Sequence, residues 1–223
     1  METSLKYLSP NDQISYSCKG CGACCRALEE QLMLEPLDAY RLGQYFRQAG
    51  EQIDIEDIYA RFTHAAMLTE GFPIFLVNTV GAEHACVFLR EHRCTVYPAR
   101  PRTCRIYPLS AVPSQQGIQF QYYQCMDEHA SHFSGETLCV SDWMRQNLTA
   151  EDRVFLENEA DYVARLGQLL HRAGSARQQD WLFPILFYRY YNYDLTQPFQ
   201  EQYEQNHMEL LKQLSGKEQE DQS

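Results

Sequence analysis

Apolar positions along the chain follow two regimes. Over residues 1–142 the apolar runs are short and broken by Gly, Pro and Cys, the pattern of strands and loops around a helical insertion. Beyond Leu148 the period becomes helical. Thr149 followed three residues later by Asp152 resembles a capping box, and Leu156, Ala160, Val163, Leu166 and Leu170 repeat on one face until Gly174. A last helix is expected over residues 199–214, with Phe199, Tyr203, Leu210, Leu211 and Leu214 on a stripe that also carries His207. A lone histidine on such a stripe reads as a hydrogen-bonded core residue rather than a ligand.

In the first regime, a short strand is expected at 31–34, Pro36 opens a helix that stops at Gly50, and a second helix covers 55–64. Residues 72–80 are β-rich. Residues 86–89 and 94–97 read as two strands joined by a tight turn, which would set Cys86 and Cys94 on neighbouring strands. The segment 181–193 is dense in aromatic side chains, expected to pack between the helices and the cysteine-rich part. These elements predict an α+β fold, with short strands and loops around a cysteine-rich centre and C-terminal helices packed on it. The division expected is a cysteine-cluster metal-binding domain over 1–142, a helical extension over 143–215, and a polar, disordered tail over 216–223.

Composition narrows the partners. The 223 residues carry 19 Lys and Arg against 30 Asp and Glu, a net charge of −11, with no basic run. Such a chain lacks the clustered cations that phosphate-driven binding to nucleic acid needs. The longest apolar stretch, 181–188, contains Pro184 and falls far short of the roughly 20 residues that cross a bilayer. The N-terminal segment has neither the basic start nor the apolar core of a secretory signal, so a cytoplasmic, reducing location is expected. In that setting nine cysteines read as metal ligands or redox groups, and their odd number argues against a full disulfide framework.

The cysteines are not scattered. Cys18, Cys21, Cys24 and Cys25 form a C-x2-C-x2-C-C run whose glycines let the backbone fold back and aim several sulfurs at one point. The same spacing serves zinc sites and the first three ligands of bacterial ferredoxin clusters, so it does not choose the metal. Consecutive Cα atoms stand about 3.8 Å apart, so the side chains of Cys24 and Cys25 are expected to diverge. They then serve two metals, or one is a ligand and the other a buried thiol or nucleophile. A second group comprises Cys86, Cys94 and Cys104. Further along, Cys125, His129, His132 and Cys139 have the composition of a Cys2His2 site but no familiar finger spacing, and Cys125 and Cys139 are also candidates for the main centre.

The run CxxCxxCC, followed by Cys86-x-Phe-Leu, Cys94-x-x-Tyr97, Arg100-Pro101-x-x-Cys104-Arg105 and Tyr107-Pro108, resembles the YkgJ family of zinc- or iron-chelating cysteine-cluster proteins. The resemblance spans residues 18–108. It implies a cofactor class, zinc or an iron-sulfur cluster, and no substrate. One branch that is similar, the flagellin lysine N-methylases, makes methyl transfer from S-adenosylmethionine to a protein lysine the alternative, although this chain has no G-x-G-x-x-G after a strand.

Whichever metal is bound, four thiolates on zinc or on an oxidised four-iron cluster leave a charge of about −2. Arg26, Arg100 and Arg105 flank the cysteines and are expected to neutralise the sulfurs by hydrogen bonds, while Tyr97 and Tyr107 shield the centre from water. Seven or more clustered thiols with few histidines suit a sulfur-bridged cluster, which is the favoured reading, while two closed zinc sites would use the same residues without redox chemistry. The expected function is therefore metal binding for electron transfer, metal handling or interaction with a protein partner, with no catalytic residue assigned.

Overall fold

The computed structural model describes residues 6–18, 20–114, 120–124 and 135–220. In chain order the elements are strands β1 (Lys6–Leu8) and β2 (Gln13–Ser15), helices α1 (Pro36–Gln48) and α2 (Ile55–Phe62), and strands β3 (Thr63–Thr69), β4 (Phe72–Val77) and β5 (Thr79–Val80). Strands β6 (Ala85–Cys86), β7 (Leu89–Arg90) and β8 (Arg93–Cys94) follow, then helix α3 (Arg102–Ile106) and strands β9 (Leu109–Pro113), β10 (Phe120–Gln124) and β11 (Thr137–Cys139). The chain continues through α4 (Val140–Asn147), α5 (Ala150–Arg172), α6 (Ser175–Leu186) and α7 (Phe199–Glu220). This is an α+β protein with small antiparallel sheets and C-terminal helices. Among the described residues, no helix is long and apolar enough to cross a membrane.

The chain forms two compact units, one of Met1–Arg26 with Phe88–Asn158 and the other of Ala27–Val87 with Glu159–Ser223. In the first, β10 lies between β1 and β9, and β2 pairs with β11. The alternation of β9 and β10 turns Leu109, Ala111 and Tyr122 inward, where they are buried. Helix α4, which the sequence pattern did not announce, buries Val140 and Met144. Tyr16, at the exit of β2, meets the rings of Tyr107 and Trp143 edge-on at 5.8 and 5.6 Å. The indole of Trp143 donates to the carbonyl of Ile106 at 3.0 Å. This aromatic group fixes the start of the cysteine run.

In the second unit, β4 is buried at all six positions, which is why it reads as a continuous apolar run rather than an alternating one. One face, Phe72, Ile74 and Leu76, joins a core with Leu166, Trp181 and Leu210. On the other face Phe75 packs against Tyr59 and Tyr190. Helix α2 is capped by a reciprocal pair, Asp54 and Asp57, and ends two residues before the expected limit. Thr63 Oγ1 caps its last turn by donating to Tyr59 O at 2.7 Å, and β3 begins there. Among the described residues that strand pairs only with β4 and is mostly exposed, so no alternation marked it. The strand expected at 31–34 is a single bridge between Met33 and Leu76.

Helix α5 begins at the predicted cap. Thr149 N and Oγ1 both donate to Asp152 Oδ2 at 2.7 Å, and Asp152 N donates back to Thr149 Oγ1 at 3.1 Å. The aromatic segment is α6 followed by a π-helical turn over Phe187–Tyr191. Pro184 inside α6 removes a backbone donor just before this widening. Helix α7 runs past Leu214 to Glu220.

Buried charge is concentrated in this second core. Arg189, 2% exposed, pairs with Glu159 through both terminal nitrogens, and its Nε donates to Tyr190 Oη at 2.9 Å. Tyr203 donates to Glu159 Oε2 at 2.6 Å, and Tyr190 to the carbonyl of Pro73 at 2.8 Å. His207 is buried beside this cluster, stacked on Tyr162 with centroids 3.5 Å apart. It is a core residue as expected, but its Nε2 has no hydrogen-bond partner among the described residues.

Candidate metal centre

The C-x2-C-x2-C-C run leaves β2 and ends in a single 3-10 turn, Ala23–Cys25, closed by Cys25 N on Gly22 O at 3.1 Å and Arg26 N on Ala23 O at 3.0 Å. Gly22 has φ +70, and a Cβ there would stand 2.9 Å from Leu89 Cδ1 and 3.1 Å from His92 O. Only glycine allows both that conformation and the close approach of the β7–β8 hairpin. The loop is thereby braced on the hairpin that carries Cys94.

The thiols of Cys24 and Cys25 do not diverge. Their Sγ atoms lie 4.0 Å apart. A tetrahedral metal with four sulfur ligands at ~2.3 Å has sulfur–sulfur edges of about 3.8 Å, so the tight turn sets two adjacent thiols close to the spacing of ligands on one ion. Backbone curvature, rather than Cα separation, decides where the sulfurs go.

Cys94 follows in β8, opposite Leu89. Burial raises its thiol, while the Val96 backbone N–H and the Arg100 guanidinium oppose that rise, and a charge on Cys24 would add to it. Cys94, Cys24 and Arg100 are thus electrostatic neighbours. Tyr16 is held neutral by burial and by the neighbouring Cys18 and Cys24. Its place two residues before Cys18 was the only sequence signal for it. Cys18, Cys21 and Cys24 are exposed, and Cys25, Cys94 and Cys104 are half-buried. Cys104 lies in α3, after Pro101, which caps that helix.

Other candidates lie in other elements. Cys86 is buried in β6 of the second unit, paired with Thr79. The single hairpin expected over 86–97 is instead two, because the chain leaves β5 at Val87, whose N–H donates to Asn78 O, and turns at Phe88 to begin β7. Cys86 and Cys94 therefore do not share a ladder. Cys139 stands at the start of α4 with its sulfur 3.5 Å from Pro10 O and 3.3 Å from Ser141 Oγ, and the Ser141 hydroxyl and the Asp142 N–H hold its thiol below the usual range. Cys125, His129 and His132 lie outside the described residues.

The arginines divide their roles. Arg100 stacks on Tyr97 with its Cζ 3.9 Å from the ring centroid, and Tyr97 is exposed. Arg105 donates to Asp152 and to the carbonyl of Asn147. Arg26 Nη2 lies 3.4 Å from His92 Nδ1. Among the described residues, no three Cys, His, Asp or Glu side chains converge tightly enough to cage an ion. The donor set nevertheless fits a soft metal by chemistry, since the first unit supplies thiols, two of them already at near-ligand spacing.

A family model described as "CxxCxxCC: Putative zinc- or iron-chelating domain" matches residues 17–130. No curated protein and no solved structure matches the chain.

Proposed function

The chain belongs to the CxxCxxCC family of zinc- or iron-chelating domains, and from that premise we propose that its first unit holds an iron-sulfur centre through Cys18, Cys21, Cys24, Cys25, Cys94 and Cys104. The observation that carries the reading is the 4.0 Å spacing of the Cys24 and Cys25 sulfurs. Two thiolates on one tetrahedral metal is the arrangement of each iron in a four-cysteine [2Fe–2S] cluster and equally of a zinc site. Thiols outnumber histidines around the loop, which favours iron and sulfide over zinc. When bound, the centre would supply electron transfer, metal handling or a rigid interaction surface.

The chain's own residues act on it in separate ways. Arg100 lowers the cost of negative charge on Cys94. Tyr16, Tyr107 and Trp143 hold the entry to the loop, and Gly22 lets the β7–β8 hairpin close against it. The alternative, S-adenosylmethionine-dependent methylation of protein lysines, would need a pocket for adenine. Among the described residues, the aromatic segment lines a shallow groove of about 320 Å³ with Phe183, Pro184, Phe187, Tyr188 and Gln213, at the lower edge of ligand-pocket volumes and without a charged group. The family model, described as a zinc- or iron-chelating domain, supports metal binding over that alternative.

Anaerobic purification followed by iron, zinc and acid-labile sulfide analysis tests the reading. Iron and sulfide in similar amounts, with broad visible absorption, is the expected result. A colourless protein carrying zinc would replace the cluster with a structural site, and a metal-free folded protein would overturn the proposal.

A further inference from the structure

The acidic chain carries its charge unevenly. Its first unit holds ten Lys and Arg against ten Asp and Glu, whereas the second holds nine against twenty. Within the first unit, residues 18–26 and 88–106 contain seven Lys and Arg and only one acid, Glu91. Part of that positive charge faces the cysteines. The hairpin tip does not.

In the β7–β8 hairpin, Leu89 pairs with Cys94 and Arg90 with Arg93. Successive side chains on a strand point to opposite faces. Leu89 is buried and Arg90 and Arg93 are exposed, so the two guanidiniums share the face turned away from Cys94. They are poorly placed to neutralise its thiolate. Two like charges directly opposite on paired strands destabilise the pairing, and neither arginine enters an ion pair among the described residues. Arg90 Nη1 donates only to the carbonyl of its neighbour Leu89, at 3.0 Å. The turn adds to the cost. Glu91 and His92 have φ 46 and 65, in the left-handed region where Asn-Gly is the favoured pair. Arg26 brings a third guanidinium to His92, and the His92 carbonyl rests against Gly22 of the cysteine loop.

We propose that the Arg90–Arg93 face of this hairpin is the docking surface for a carboxylate-rich patch on a protein partner of the metal centre. The function of the contact rests on the metal-centre reading, but the binding itself does not. A partner carboxylate would relieve the repulsion between the paired arginines. An acidic protein patch fits better than nucleic acid, because two exposed guanidiniums and the half-buried Arg26 are fewer than the roughly six to ten phosphate contacts of a nucleic-acid footprint.

The test uses the full chain with a fluorescein-labelled octaglutamate peptide and, in parallel, a labelled single-stranded octanucleotide, with metal content measured on every sample. Octaglutamate binding should weaken as salt rises from about 50 to 200 mM. Arg90→Glu with Arg93→Glu should weaken it by about tenfold or more, and Arg90→Gln with Arg93→Gln by a smaller factor, with metal per chain unchanged. Undiminished binding by the glutamine variant, no binding at low salt, or tighter binding of the oligonucleotide would overturn the docking surface. Binding to a protein that holds no metal would support the surface and overturn the metal-centre reading.

Discussion

Arg105 Nη2 donates to Asp152 Oδ1 at 2.7 Å, and the other oxygen of the same carboxylate closes the cap of α5 on Thr149. Asp152 is fully buried and the Arg105 side chain nearly so. The guanidinium that follows Cys104 in sequence thus secures the first turn of α5. Replacing it by Met leaves a buried carboxylate with hydrogen bonds but no counter-charge. The first unit of Arg105→Met should lose about 2–4 kcal/mol in urea unfolding, and a loss below about 1 kcal/mol would show that the pair is peripheral.

The Arg189–Glu159 pair makes the parallel case in the second unit. Tyr190 accepts from Arg189 Nε and Tyr203 donates to Glu159 Oε2, and neither carries a charge, so a single substitution strands a charge in the core. Glu159→Gln and Arg189→Met should each cost about 3–5 kcal/mol, and Glu159→Leu combined with Arg189→Met should recover much of that loss. Additive losses in a double-mutant cycle would mean the two side chains act independently.

His207 gives the second core a pH dependence. Burial, reinforced by the Arg189 charge, lowers its pKa to about 2, against roughly 6.5 in the unfolded chain. Between those values the unfolded state holds the extra proton, so this contribution to stability is complete above about pH 6.5 and is lost progressively as pH falls towards 2. Lowering the pH from about 7 to 5 should cost on the order of 2 kcal/mol in the wild type. His207→Phe should remove most of that slope. An unchanged slope in the variant would assign the acid sensitivity elsewhere.

The sequence carried the fold class and helices α1, α2, α5 and α7 because their signals are local, whereas α3, α4 and α6 carried no such signal. The Thr149–Asp152 cap, the α5 stripe and Pro36 at the start of α1 each specify their element within a few residues. What it did not carry depended on partners distant in the chain. Strand β3 is an exposed edge with no alternation of its own, and the two short hairpins at β5–β6 and β7–β8 arise because the chain changes partner at Val87 and Phe88. At the site, the spacing of the cysteines was legible, but the approach of Cys24 to Cys25 was not. It follows from the tight turn after Gly22, where a left-handed φ and the close approach of Leu89 and His92 each call for glycine.

That approach is also where the account is most exposed to test. Metal content per chain should be measured after anaerobic purification of the wild type, of Cys24→Ser combined with Cys25→Ser, and of Cys139→Ser, whose sulfur is already engaged by Pro10 and Ser141. The account predicts that the double variant loses most of its metal and that Cys139→Ser keeps it. Full metal content in the double variant would contradict a centre built on the paired sulfurs.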